Sequence, residues 1–310
     1  MSKTALLFAG QGAQSIGMGK EFAAQFPSAR AWFEKANAIL GFDLAKICFE
    51  GPELELTKTE IAQPAIFLAG WIAFQLLKER APAFKFEAAA GLSLGEFTAL
   101  TAAGVFSFED GLTIVRQRGR YMQEACEMTR GGMAAILGLD EDATRQVCAE
   151  TGVDLANLNC PGQIVISGAT EPLAQACELA RARGAKKAVP LSVAGAYHSR
   201  LMASAQTKLQ AALPAFTISP PATPVIGNVT AHPHGASSDI RQKLVEQVVS
   251  AVRWEDSMRY LLANGFTRFI ELGPGTALSG FLKRISKNAQ IFNVADGASL
   301  ESAVKGIGQS

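Results

Sequence analysis

Gly91-Leu92-Ser93-Leu94-Gly95 stands between two apolar runs, Glu87 to Leu92 before it and Glu96 to Ala103 after it. The first run reads as a buried strand and the second as a helix, so the chain passes from strand to helix within five residues. Those residues fit the pattern Gly-x-Ser-x-Gly, in which small flanking residues permit a strained turn that projects a serine hydroxyl into a cleft. By composition alone the pattern arises about 0.1 to 0.2 times in a chain like this one. Its position, at the end of an apolar strand and the start of an apolar helix, is what makes Ser93 a nucleophile candidate.

Working outward, Ala5 to Ala9 is a second buried strand and ends in the glycine-rich loop Gly10-Gln11-Gly12-Ala13-Gln14. Helical periodicity runs from Ser28, read as an N-cap, through Ile39, with Gly41 as the stop. A second helix is expected from Gln63-Pro64 to about Arg80, with Pro64 in the first turn and apolar residues around most of its circumference, which places it centrally. Ser107 caps a further helix that turns Leu112, Val115, Gly119 and Met122 inward.

From Gly131 to Val193 the rhythm becomes β-α-β-β-α-β, the split βαβ arrangement of a ferredoxin-like unit. Outside that stretch strands and helices alternate, ending with strand Arg268 to Leu272, the turn Gly273-Pro274-Gly275, helix Ala277 to Ile285 and strand Ile291 to Val294. The expected architecture is therefore α/β, a parallel-sheet core covered on both faces, built from residues 1–127 and 196–310, with residues 128–195 as an inserted ferredoxin-like subdomain.

The 310 residues carry 29 Lys plus Arg against 28 Asp plus Glu, and 48% are hydrophobic. A formal charge of +1 without a basic run argues against nucleic acid as a partner. The most apolar stretch, Ile61 to Leu77, is interrupted by Gln63, Pro64 and Gln75 and falls short of the ~20 apolar residues of a membrane span. No signal-peptide pattern opens the chain, so a cytoplasmic protein without membrane association is expected. The five cysteines are widely spaced, with no CxxC pair, and read as free buried thiols. Of the three histidines, His232 and His234 lie in an Ala-His-Pro-His-Gly turn, so a structural metal is not expected.

A serine nucleophile needs a neighbouring base. His198, in Gly195-Ala196-Tyr197-His198-Ser199, is favoured by position and by elimination. A triad also needs an orienting carboxylate, but the acids between Ser93 and His198, such as Asp140, Asp142, Asp154 and Glu178, fall in helices or in the insertion. That points to a Ser-His dyad with a neutral orienter. A cleft-facing arginine from Arg116-Gln117-Arg118-Gly119-Arg120 would clamp a substrate carboxylate through its planar fork. Periodicity puts Arg116 and Arg120 on one side of the helix and does not choose between them.

The order of these blocks resembles the bacterial malonyl-CoA:acyl-carrier-protein transacylases of fatty-acid synthesis. It is carried by Phe8-Ala9-Gly10-Gln11-Gly12-Ala13-Gln14, Gln63-Pro64-Ala65, Gly91-Leu92-Ser93-Leu94-Gly95-Glu96, Val115-Arg116-Gln117-Arg118-Gly119, Asn157-Leu158-Asn159-Cys160-Pro161-Gly162-Gln163, Ala196-Tyr197-His198-Ser199 and Glu271-Leu272-Gly273-Pro274-Gly275. The resemblance implies an α/β-hydrolase-like core with the ferredoxin-like insertion. It implies acylation of Ser93 by malonyl-CoA, His198 as general acid/base, and transfer to the phosphopantetheine thiol of an acyl carrier protein. By the same resemblance Gln11 and Leu94 supply the oxyanion hole, Arg116 pairs with the malonyl carboxylate, the Gln247 carbonyl orients the histidine, and Gln63 and Asn159 belong to the pocket. No cofactor is implied, since malonyl-CoA is a substrate and phosphopantetheine arrives on the partner.

The family usually has His where Leu92 stands and Phe where Tyr197 stands. Alternatives on the same elbow are a free-standing acyltransferase serving a polyketide synthase and a serine thioesterase or esterase. An acidic carrier would dock on a basic face, either Arg181, Arg183, Lys186 and Lys187 or Lys283, Arg284 and Lys287.

Overall fold

The strand Lys3–Phe8 (β1) is buried from Thr4 onward, as a central parallel strand covered on both faces must be. The structure, a computed structural model, describes residues 3–308. The remaining strands are β2 (Ala88–Gly91), β3 (Gly131–Leu137), β4 (Asp154–Cys160), β5 (Gln163–Ala169), β6 (Lys187–Pro190), β7 (Val225–Ile226), β8 (Phe266–Leu272) and β9 (Gln290–Val294). In chain order the helices are α1 (Lys20–Gln25), α2 (Pro27–Leu40), α3 (Leu44–Glu50), α4 (Glu53–Leu56), α5 (Thr59–Arg80), α6 (Leu94–Ala102) and α7 (Phe108–Met128). They continue as α8 (Glu141–Thr151), α9 (Thr170–Ala182), α10 (Ala203–Ala212), α11 (Ser237–Gln247), α12 (Trp254–Ala263), α13 (Ala277–Ile285) and α14 (Gly297–Gly308).

The core sheet is parallel throughout, in the order β7-β2-β1-β8-β9. Because successive side chains of a strand point to opposite faces, Leu6 and Phe8 enter a core shared with α5, α6 and α7, while Ala5 and Leu7 enter one shared with α12 and α13. The second sheet is antiparallel, ordered β4-β5-β3-β6 and backed by α8 and α9, which is the ferredoxin-like arrangement. It is tied to the core where Leu158 N donates to Val252 O and Val252 N donates to Ala156 O, each at 2.9 Å. All five cysteines are free and buried.

Two helix starts differ from the reading of the sequence. Pro27, not Ser28, opens α2, because a proline suits a first turn whose N–H groups have no helical partner, and the Ser28 hydroxyl bonds Glu79 instead. Helix α5 begins at Thr59, so Pro64 lies inside it. The helix is long and apolar enough to cross a membrane, but its span is packed within the protein core. Strand β7 is only two residues long, after which the chain leaves the sheet beside Ser93.

Candidate active site

Ser93 links β2 to α6 with φ 55° and ψ −106°, a left-sided conformation that a non-glycine residue adopts only under constraint. The turn is tight enough that a Cβ on Gly91 would stand 1.9 Å from the Gly95 carbonyl carbon, and one on Gly95 would stand 2.2 Å from Phe8 O. Asn228, just beyond β7, fastens the turn. Its Oδ1 accepts from Ser93 N at 2.6 Å and its Nδ2 donates to Gly91 O at 2.7 Å.

His198 Nε2 lies 2.8 Å from Ser93 Oγ, and His198 Nδ1 lies 2.9 Å from the Gln247 carbonyl oxygen. A carbonyl only accepts, so the proton sits on Nδ1 and the Nε2 lone pair faces the serine hydroxyl. That is the tautomer a general base requires. Burial and then the neighbouring Arg118 charge push the His198 pKa from 6.5 down to about 4, so the ring is neutral at physiological pH. Among the described residues no carboxylate stands on its Nδ1 side. The neutral orienter expected from the sequence is in place, and the arrangement differs from a Ser-His-Asp triad.

The arginine at the site is Arg118, not Arg116. Arg118 is 1% exposed and lies over the Phe97 ring, 5.3 Å from the centroid. Its Nη2 donates to Ser93 Oγ at 3.0 Å and to Gln247 Oε1 at 2.9 Å, and its Nη1 donates to Gln63 Oε1 at 2.8 Å. Desolvation lowers its pKa to about 10, which leaves it charged at neutral pH. Arg116 points away, toward the start of α5, for a reason written in the sequence. Pro64 has no N–H to offer the Glu60 carbonyl four residues earlier, and Arg116 Nη1 takes that oxygen at 2.7 Å and Glu60 Oε2 at 2.9 Å.

Gln11, in the loop after β1, lines the cavity together with Ser93, and Leu94 follows the serine as the first residue of α6. Gln63 is fully buried and supports Arg118 rather than lining the cavity. Asn159 lines the cavity from β4, with its Oδ1 unpartnered. The Tyr197 hydroxyl bonds Thr59 Oγ1 at 2.5 Å and accepts from Gln11 Nε2 at 3.2 Å. Leu92 also lines the cavity. The cavity, 580 Å³ in volume, opens between the two sheets, with Gln11, Ser93 and His198 from the core facing Met133, Asn159 and Val165 from the insertion.

Three site residues escaped the sequence reading. Asn228 lies two residues past a sheet strand, at the carboxyl end where α/β sheets place their sites, and that position was the available signal. Glu96 and His234 form a pair beneath the elbow, His234 Nε2 2.6 Å from Glu96 Oε1, with both side chains 1% exposed. The His234 side chain is therefore buried, although the turn that carries it is exposed.

A serine under strain, a neutral histidine held by a carbonyl and a buried arginine fork make an acyl-transfer centre with a binding point for an anion. Residues 5–303 match the family described as the acyl transferase domain. The chain belongs to that acyl transferase family. It is 46% identical over 310 residues to the malonyl CoA-acyl carrier protein transacylase of Bacillus subtilis strain 168, covering 98% of this chain and 97% of that one. It is 40% identical to a polyketide biosynthesis malonyl CoA-acyl carrier protein transacylase of the same organism, covering 92% of this acyl transferase and 97% of that relative. Among solved structures, a malonyl-transacylase in complex with a type II polyketide-synthase acyl-carrier protein superposes with a TM-score of 0.95. It is 36% identical and covers 98% of this chain and 100% of that one.

Proposed function

We propose that this acyl transferase moves a malonyl group from malonyl-CoA to the phosphopantetheine thiol of an acyl carrier protein, in the cytoplasm and in the service of fatty-acid synthesis. The observation that carries the reading is the Arg118 fork 3.0 Å from Ser93 Oγ. An acyl group esterified to Ser93 with a carboxylate two carbons from the ester carbonyl would bring that carboxylate beside a buried guanidinium, whereas acetyl would leave it without an anion.

Ser93 Oγ attacks the thioester carbonyl as His198 Nε2 takes its proton, and the oxyanion rests on the backbone amides of Gln11 and Leu94. His198 returns the proton to the departing CoA thiolate, leaving a malonyl ester on Ser93. CoA leaves before the carrier binds; the carrier thiol then attacks that ester, and His198 takes its proton and returns it to Ser93 Oγ as the ester bond breaks. Neutral His198 at physiological pH suits the base role in both halves.

A basic face for an acidic carrier is available where the two candidate patches adjoin. Arg284 on α13 donates to Gln163 Oε1 at 2.7 Å and Pro161 O at 2.8 Å, in the β4–β5 turn, while Lys186 packs over Gly138, whose N–H bonds Gly162 O in that same turn. Arg181 and Arg183 are held by Glu178 and Glu150 and contribute less free charge.

Initial rates with both substrates varied test the scheme. Parallel double-reciprocal lines and little hydrolysis without carrier are expected. Intersecting lines, or rapid release of free malonate when the carrier is omitted, would overturn transfer in favour of a thioesterase.

A further inference from the structure

Behind the elbow lies a set of buried polar groups that the transfer scheme does not use. The Gln247 side-chain amide sits between Arg118 and Glu96: its Oε1 accepts from Arg118 Nη2 at 2.9 Å, and its Nε2 donates to Glu96 Oε2 at 2.6 Å and to Ser93 O at 3.0 Å. Guanidinium only donates and carboxylate only accepts, so the amide fits one way round. The same residue presents its backbone carbonyl to His198 Nδ1. Gln247 thus touches the nucleophile's backbone, the base and the anion-binding arginine at once, and it is fully buried.

Glu96 is what holds that amide in place, and it is itself held. Its Oε2 also accepts from Asn228 N at 3.1 Å, and its Oε1 faces His234 Nε2 at 2.6 Å. Three donors converge on a carboxylate from which water is excluded, and it acts favourably on the Arg118 cation, more strongly than Tyr197 does. His234 reaches this position because the chain doubles back after β7. Pro233 bridges to Ile226, His234 N donates to Val225 O at 2.9 Å, and Ala231 takes a positive φ of 57° at the bend.

We propose that His234 and Glu96 are positioning residues for selection of a carboxylate-bearing acyl group. Together they fix the Gln247 amide, which aims Arg118 at the carboxylate. His234 touches no reacting atom and acts only through this relay. The inference rests on the malonyl-transfer reading.

The test is the ratio of Ser93 acylation by malonyl-CoA to acylation by acetyl-CoA, read as intact mass against time. General loss of folded enzyme lowers both rates together and leaves the ratio unchanged, so the ratio isolates positioning. His234→Ala is expected to lower it about tenfold, the size of one charge-assisted hydrogen bond. His234→Gln, which keeps an N–H for Glu96, is expected to recover most of that loss. In an Arg118→Ala background His234→Ala is expected to add no further change. Glu96→Gln carries the same test should His234→Ala fail to fold, and it is expected to lower the ratio as well. An unchanged ratio in the folded variant, an equal fall in His234→Ala and His234→Gln, or an additive fall in the Arg118→Ala background would overturn the proposal. A wild-type chain that gains no malonyl mass at all would instead overturn the function on which it rests.

Discussion

Arg118 Nη2 and His198 Nε2 approach the same oxygen, Ser93 Oγ, at 3.0 and 2.8 Å. One is a fixed positive charge and the other a neutral base, and the charge helps keep the base neutral. Anion selection and nucleophile activation therefore share one atom. A change to the arginine is expected to alter both.

Arg118→Ala is expected to cut malonyl transfer by about 10- to 150-fold, the value of one charge-assisted hydrogen bond of roughly 1.5 to 3 kcal/mol, while acetyl transfer rises. Steady-state kinetics with the two acyl-CoA donors measure this. Equal losses for malonyl and acetyl would argue against an anion clamp.

Arg116→Ala is expected to behave differently. It strips the Glu60 carbonyl of the donor that replaces the missing Pro64 N–H, at a stability cost of about 1 to 2 kcal/mol. Thermal unfolding should register a lower Tm, by roughly 1.5 to 3 °C in a protein of this size, and the malonyl-to-acetyl ratio should stay at the wild-type value. A collapsed ratio with an unchanged Tm would reverse the assignment of the two arginines.

The acid limb of kcat/KM is expected well below the ordinary histidine range, near pH 4, because His198 must be neutral to take the Ser93 proton and burial holds its pKa at about 4. The sign for stability follows. The unfolded chain takes up a proton near pH 6.5 and the folded one does not, so this contribution is intact above pH 6.5 and is lost as pH falls toward 4. A pH-rate profile and urea melts across pH 4 to 7 check both. An acid limb at 6.5 would contradict the buried, neutral ring.

Reversing Lys186 and Lys187 to Glu is expected to raise KM for the carrier at low salt and leave acylation by malonyl-CoA unaltered, since both lie outside the cavity lining. Titration with carrier at two ionic strengths measures it. An unchanged carrier KM would remove this face from the docking surface.

Much of this was legible in the chain. Gly91, Ser93 and Gly95 announce the elbow because no side chain fits at either glycine, and the β-α-β-β-α-β rhythm of residues 131–190 emerges intact as the second sheet. The arginine was legible in principle and was misread. Position 118 lies three residues after Val115 and four before Met122, both on the inward face, but a charged residue reads as solvent-facing unless its buried partners are known, and those partners come from α5 and α11. His234 hid for the opposite reason. Prolines and glycines around it signal an exposed turn, and only the bend that returns the loop to β7 brings it under Ser93. Helix α14 went unread because glycines at 297, 306 and 308 interrupt the apolar pattern of a helix formed against β9 and α5.

The most direct measurement is the intact mass of the protein after brief mixing with malonyl-CoA, before and after addition of a phosphopantetheine-bearing acyl carrier protein. The account requires one malonyl unit on the wild-type chain, located at Ser93 by peptide mapping, gone once carrier is added and recovered on the carrier, with Ser93→Ala gaining nothing. A wild-type chain that stays unmodified, or a Ser93→Ala chain that acquires the group as readily, would contradict it.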